Sequence, residues 1–415
     1  MTRLSRPAAW LILGISLATL ALLAALHRSS APPLAVVKAD PDVRRVVSAD
    51  TDFGFRLLAR LAPDKSHANV FFSPFSVSQA LALTWNGAGG ATRTGIGATL
   101  GLGGLLPASV NAANGLLLPS LSDPDPQVKL SVANALWIRQ GRTFNPAFQQ
   151  ACRQFYGADA TTLDFGSPGA ADTINAWVKG HTRGKIEQIV SPSDLAGATA
   201  VLTDAVYFHG QWTTPFEKTE TQEAPFTLAN ASQKAVPLMS QEGEFSYLGT
   251  PRFQAVRLPY GAGRLAMYVF LPDTPSGLDG FLATATAAHW DGWLAKMQPT
   301  ELTVLLPSFH ADDTWTLNEP LSSMGMAVAF HEEADFSPMG LPHSDISKVV
   351  HKVTLDVDEQ GTTAVASTAV TMKTTAVRPA GVEVRVDHPF LCAIRDDATG
   401  TVLFLGAIRD PQKAP

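Results

Sequence analysis

The run from Glu359 to Pro379, Glu-Gln-Gly-Thr-Thr-Ala-Val-Ala-Ser-Thr-Ala-Val-Thr-Met-Lys-Thr-Thr-Ala-Val-Arg-Pro, constrains this chain more than any other stretch. From Gly361 to Thr371 every residue is glycine, alanine, serine, threonine or valine, with neither charge nor bulk. Threonine and valine favour strands, and side chains this small let a strand slide between two others without a clash. A disordered tail would carry charge and proline instead. An ordinary buried strand is the plain alternative, because short apolar runs are ambiguous by themselves. An uncharged, β-prone run is also an aggregation hazard when exposed, so a chain that keeps one has a use for it.

The segments downstream favour the sliding strand. Glu383 to Arg395 and Gly400 to Pro411 have the composition of two terminal strands, joined by a turn at Asp396 to Gly400. Upstream, the chain alternates helical and strand-like stretches without a proline- or glycine-rich linker from Asp50 onward. Helical spacing is clear at residues 52–62, 145–157 and 174–186. Strand patterns recur at 132–138, 160–165, 200–208, 253–259, 264–271 and 302–309. Pro74 stands at a helix start, where its missing N–H costs nothing. Helices first and antiparallel strands later predict an α+β fold in one large domain. With 46% hydrophobic and 16% charged residues in 415, a sizeable core is affordable.

Other chemistries find little support. A net charge of −6 gives no footprint for nucleic acid. Gly87-Ala-Gly-Gly-Ala-Thr92 is neither a dinucleotide nor a phosphate loop, because no Gly-Lys-Ser/Thr follows, and a helix-to-helix turn is the better reading. Ten histidines lie scattered without ligand spacing, and His331-Glu-Glu333 lacks the second histidine of a zinc helix. No metal site and no cofactor are expected. Cys152 and Cys392 read as two isolated thiols rather than a disulfide framework. No Gly-x-Ser-x-Gly elbow marks a hydrolase.

Arg3 and Arg6 precede an apolar run from Ala8 to Leu26, the pattern of an export signal. Its length also approaches a membrane span. Residues 1–28 are therefore expected to be a signal peptide or signal anchor, residues 29–48 a flexible tether, and residues 49–415 the folded domain. The protein is expected outside the cytoplasm: secreted, periplasmic or held by its N-terminus.

Several short motifs occur in one order along the body. They are Asn69-Val-Phe-Phe-Ser-Pro74, Gly87-Ala-Gly-Gly-Ala-Thr92, Ala133-Asn-Ala-Leu-Trp137, Tyr207-Phe-His-Gly-Gln-Trp212, Val236-Pro-Leu-Met-Ser-Gln-Glu-Gly243, Leu321-Ser-Ser-Met-Gly-Met326 and Asp387-His-Pro-Phe390. Together with the small-residue run they resemble the serpin family over roughly residues 49 to 411, in its exported, bacterial type. The resemblance implies three β-sheets surrounded by about eight or nine helices, with an exposed reactive-centre loop. It also implies suicide inhibition of a serine protease: the loop is cut, its upstream arm inserts into a sheet, and the acyl-enzyme is trapped. A non-inhibitory member acting as a binding or chaperone-like module is the alternative, with a hydrolase behind it.

Residue roles follow from the resemblance. Glu359, Gly361, Thr362, Ala364, Ala366 and Thr368 are the hinge, and the alternation of a strand points its small members one way. Ser73, Ser76, Asp204, His351 and Trp212 are the sheet-opening control. Asp204 stands where the family usually has asparagine, so a hydrogen bond to His351 is expected. Ser308 replaces the lysine that often pairs with the glutamate equivalent to Glu359. Counting from Gly361 as in the family places the reactive bond at Thr375–Ala376, with Lys373 and Arg378 as alternative reactive residues. A small primary residue favours elastase- or subtilisin-like targets, a basic one trypsin-like targets. A monomer without a glycosaminoglycan site is expected.

Overall fold

A computed structural model describes residues 32–64, 69–122, 124–362 and 381–413. The expected hinge residues Ala364, Ala366 and Thr368, the expected reactive residues Lys373, Thr375, Ala376 and Arg378, and the expected signal segment 1–28 lie outside these residues.

Eleven α-helices occur among the described residues. In chain order they are α1 Leu34–Ala39, α2 Pro41–Leu61, α3 Pro74–Asn86, α4 Gly90–Thr99, α5 Pro107–Ser122, α6 Pro146–Tyr156, α7 Ala170–His181, α8 Pro192–Leu195, α9 Leu278–Thr284, α10 Ala287–Leu294 and α11 Asn318–Leu321. Two of them, α8 and α11, are single turns. The strands are β1 Val70–Phe72, β2 Val128–Arg139, β3 Asp159–Leu163, β4 Ala200–Gln211, β5 Gln222–Thr227, β6 Gln233–Gly249, β7 Phe253–Tyr260, β8 Leu265–Pro272, β9 Gln298–Pro307, β10 Phe309–Thr316, β11 Lys348–Val357, β12 Gly361–Thr362, β13 Val382–Arg385, β14 Phe390–Asp396 and β15 Val402–Ile408.

The α+β expectation holds. One sheet runs β10-β11-β12-β4-β2-β3, and the other β1-β15-β14-β8-β7-β6-β9-β13 with β5 on β6. The larger sheet continues through the long strands β6 and β9 into a section of β5, β6, β9 and β13, which is the third sheet of the expectation. Its middle strands are buried on both faces: every residue of β8 and β15 is buried, as their near-continuous apolar runs dictate.

One expectation fails. Of residues 29–48, anticipated as a flexible tether, Leu34–Ala39 form α1 and those from Pro41 onward open α2. Asp40 caps α2, accepting from the backbone N–H groups of Asp42 and Val43, and Pro41 occupies the first turn. Val37, Val43, Val46 and Val47 are buried in the main core. Pro32, Pro33 and the charged residues between them and Ser48 concealed an apolar stripe at helical spacing.

Helix α3 places the centre of the site. Ser73 caps it, accepting from the Ser76 N–H, and all but the last of its residues are buried. A helix apolar all round belongs inside the molecule, and α3 lies behind the six-stranded sheet.

Candidate functional site at the sheet opening

The site is built on β4 and β11, which change their relation along their length. From Lys348 to Thr354, β11 pairs directly and in parallel with Val201 to Tyr207 of β4. Beyond that point β12 stands between them, Thr362 opposite Val357 on one side and Gly210 on the other. The two strands are shut at one end and wedged apart at the other.

A tight reversal makes the wedge. Asp358 N–H donates to the Gly361 carbonyl (2.9 Å) and Gly361 N–H to the Asp358 carbonyl (3.2 Å), leaving Glu359 and Gln360 as the tip. The Asp358 carboxylate accepts from the Gln360 and Gly361 amides at 2.8 and 3.1 Å, the local bonding that suits aspartate to turns. Burial pushes its carboxyl above the ordinary range, and those two amides partly offset the rise. Gly361 has no room for a side chain: a Cβ would lie 2.1 Å from the Gly210 carbonyl oxygen.

Aromatic residues receive the reversal. Trp212 donates from its indole N–H to the Asp358 carbonyl (2.9 Å) and from its backbone to the Gln360 carbonyl (3.0 Å). Phe216 N–H donates to the Glu359 carbonyl (2.8 Å). The Trp212 ring stacks on Tyr260, centroids 4.3 Å apart and planes 10° apart. Thr362 is fully buried, its hydroxyl 2.6 Å from the Tyr260 hydroxyl. Burial raises the Tyr260 phenol well above its ordinary range, so it keeps its proton. Glu359 accepts from the Thr221 hydroxyl at 2.7 Å. That bond occupies the carboxylate in a chain where Ser308 stands in place of a lysine.

The closed end has its own cluster. Ser76 donates from its hydroxyl to one oxygen of Asp204, and His351 Nδ1 lies 3.1 Å from the other. Ser73 N–H donates to His351 Nε2 at 3.0 Å. Because Nε2 accepts, the ring proton sits on Nδ1 and is given to Asp204. The hydrogen bond expected between Asp204 and His351 is present, with the imidazole neutral. Ser73 also donates from its hydroxyl to the Leu403 carbonyl (2.6 Å), tying the start of α3 to the larger sheet. All four side chains are at most 1% exposed. Asn134 on β2 lies opposite Asp204 in register and donates to the Ser76 carbonyl at 3.4 Å.

Structure thus brings Ser73, Ser76, Asp204 and His351 into one cluster, and Trp212, Glu359, Gly361 and Thr362 into another. Sequence reasoning missed Tyr260, Thr221, Asp358 and Phe216. For Asp358 a signal existed, an aspartate three residues before a glycine at a strand end. Tyr260 and Thr221 lie about a hundred residues or more from their partners and carry no local mark. Cys152 and Cys392 are both buried free thiols, and burial lifts Cys152 to about 12. Among the described residues no group of histidine, cysteine and carboxylate side chains could hold a metal.

Comparison with known proteins decides the family. The profile described as serpin (serine protease inhibitor) matches residues 48–411. The chain belongs to the serpin family. It is 34% identical to Serpin B9 of Homo sapiens over 373 residues, covering 88% of this chain and 99% of that protein. It is 32% identical to the Homo sapiens leukocyte elastase inhibitor over 382 residues, covering 89% and 100%. The thermophilic serpin tengpin in its native state superposes with a TM-score of 0.80 at 28% identity, covering 88% of this chain and 94% of that one. Serpins are protease inhibitors rather than catalysts, and protease inhibition is the function the family assigns here.

Proposed function

We propose that this serpin traps serine proteases by inserting the arm that follows Thr362 between β4 and β11, after cleavage at Thr375–Ala376. The observation that carries the reading is the two-residue strand already standing between them. Thr362 lies opposite Val357 and Gly210; an arm inserted in the same register would bring Ala364 opposite Phe208 and Leu355, Ala366 opposite Val206 and Val353, and Thr368 opposite Asp204 and His351. Thr362 faces the buried side, so alternation turns Ala364, Ala366 and Thr368 the same way. All are small enough to follow it.

Insertion replaces one parallel ladder with two antiparallel ones. Each backbone hydrogen bond gained contributes about 0.5–1.5 kcal/mol net, so an arm of this length releases energy on the order of a small domain's whole stability. A protease still joined to the arm as an acyl-enzyme is dragged with it. Thr375 as the primary residue favours elastase- or subtilisin-like enzymes, while Lys373 or Arg378 would redirect the specificity to trypsin-like ones. The name of the leukocyte elastase inhibitor supports the first class. The basic start and apolar run of residues 1–28 support a place outside the cytoplasm, as a secreted, periplasmic or N-terminally anchored monomer.

Incubation with a panel of elastase-, subtilisin- and trypsin-like proteases tests this. A complex that survives denaturing electrophoresis, with a released peptide beginning at Ala376, is the expected result. Clean cleavage without any such complex would favour a non-inhibitory binding module.

A further inference from the structure

We propose that Tyr260 is a positioning residue for insertion, its hydroxyl seating Thr362 and thereby fixing the register in which the arm enters the sheet. This rests on the inhibitory reading above and adds to it a residue on β7, outside the insertion sheet. Register matters because a slip of one residue reverses every side chain of a strand. A slip one way would bring Thr363 to Tyr260 but would force Thr362 into the glycine-only place beside the Gly210 carbonyl, and a slip the other way would bring Gly361, which has no hydroxyl, to Tyr260.

Two features discriminate between registers. At the Gly361 position the Gly210 carbonyl oxygen stands where a Cβ would be, at 2.1 Å, and rejects any residue with a side chain. One residue on, Tyr260 asks for a hydroxyl. Its own is fully buried and pairs with Thr362 at 2.6 Å. Alanine or glycine in that place would leave a buried phenol unpaired, a costly state. The phenol cannot turn elsewhere. Trp212 stacks on one side of the ring, and Phe208 meets it at 5.3 Å and 68°. Gly210, opposite Thr362, leaves space for the same ring: a Cβ there would sit 3.0 Å from it. The backbone of β4 therefore selects glycine and Tyr260 selects a hydroxyl-bearing residue, in adjacent positions of one strand.

Tyr260→Phe keeps the ring and removes only the hydroxyl. Thr362→Val removes the matching one, and Thr362→Ser restores it. Two readouts apply: hydrogen exchange of peptides spanning Asp358–Thr362, and the ratio of cleaved to trapped product with a protease that the wild type traps. Tyr260→Phe and Thr362→Val should each raise both by about two- to tenfold, the range spanned by one buried hydrogen bond. The double variant should go no further than either single one, and Thr362→Ser should stay near wild type. Unchanged exchange in Tyr260→Phe, or additive effects in the double variant, would overturn the proposal. If the wild type traps no protease, the inhibitory reading fails, and hydrogen exchange alone still decides the role of Tyr260.

Discussion

The two ends of the β4–β11 seam are made of different chemistry. At the wedged end, contacts to the hinge come from aromatic rings and backbone carbonyls: Trp212 and Tyr260 against Asp358, Gln360 and Thr362. At the closed end they come from a buried polar chain, Ser73 to His351 to Asp204 to Ser76, joining the seam to α3. On the proposed mechanism the wedged end would accept a strand of small residues and read its first two positions, of which Gly361 and Thr362 already stand in place. The closed end holds the strands together with bonds that an incoming strand must replace. On the insertion proposed above, Thr368 would arrive between Asp204 and His351, where its hydroxyl would be able to take up hydrogen bonds that they release. The seam is thus parted at one end and held at the other, and the proposed opening would run from the first to the second.

The largest expected effect breaks the wedged end. Thr362→Arg would bury an unpaired guanidinium at a cost of several kcal/mol. Trapping should fall at least tenfold while the fold persists, the protease cutting the loop and leaving. Gel analysis of the products checks this, and trapping at the wild-type ratio would mean the hinge is misassigned.

The support behind the closed end offers the next test. Asp50 on α2 is buried, one carboxylate oxygen lacks a partner, and burial raises the group from 3.8 to about 7, with Ser78 of α3 only partly offsetting it. A raised carboxyl binds its proton more tightly in the folded state. It therefore costs stability above about pH 7, and the cost fades as pH falls from there towards 4. Asp50→Asn should stabilise the protein at pH 8 by up to about 4 kcal/mol, with little gain at pH 4. Urea unfolding at both pH values checks it, and a gain independent of pH would contradict the linkage.

His351→Ala sharpens the contrast between the ends. It leaves the Ser73 N–H and one Asp204 oxygen unpaired, a loss of about 1–3 kcal/mol. Hydrogen exchange should quicken in Lys348–Thr354 while Asp358–Thr362 is unaffected. Equal quickening at both ends would show that the seam behaves as one unit.

Much of the closed end was legible in the sequence. Asn69 to Ser76 announces a strand, a cap and a helix in eight residues, and Asp204 and His351 sit in strand patterns of their own. The wedged end was half legible. Gly361 and Thr362 stand out by composition, but the Tyr260 that reads Thr362 lies 102 residues away on another sheet, and nothing local marks it. Thr221, which donates to Glu359 in a chain where Ser308 replaces the family's lysine, went unseen for the same reason: a hydrogen bond formed across the fold leaves no pattern along the chain. The supposed tether failed differently. Local cues were present in Asp40, Pro41 and four valines, and the neighbouring prolines and charges outweighed them.

Cleavage of the loop is expected to let a strand enter between β4 and β11. Thermal melts of the intact protein and of protein nicked between Met372 and Arg378 test it most directly. A clear rise in the midpoint after nicking is predicted, because the inserted arm adds a ladder on each side. An unchanged or lower midpoint would contradict the account.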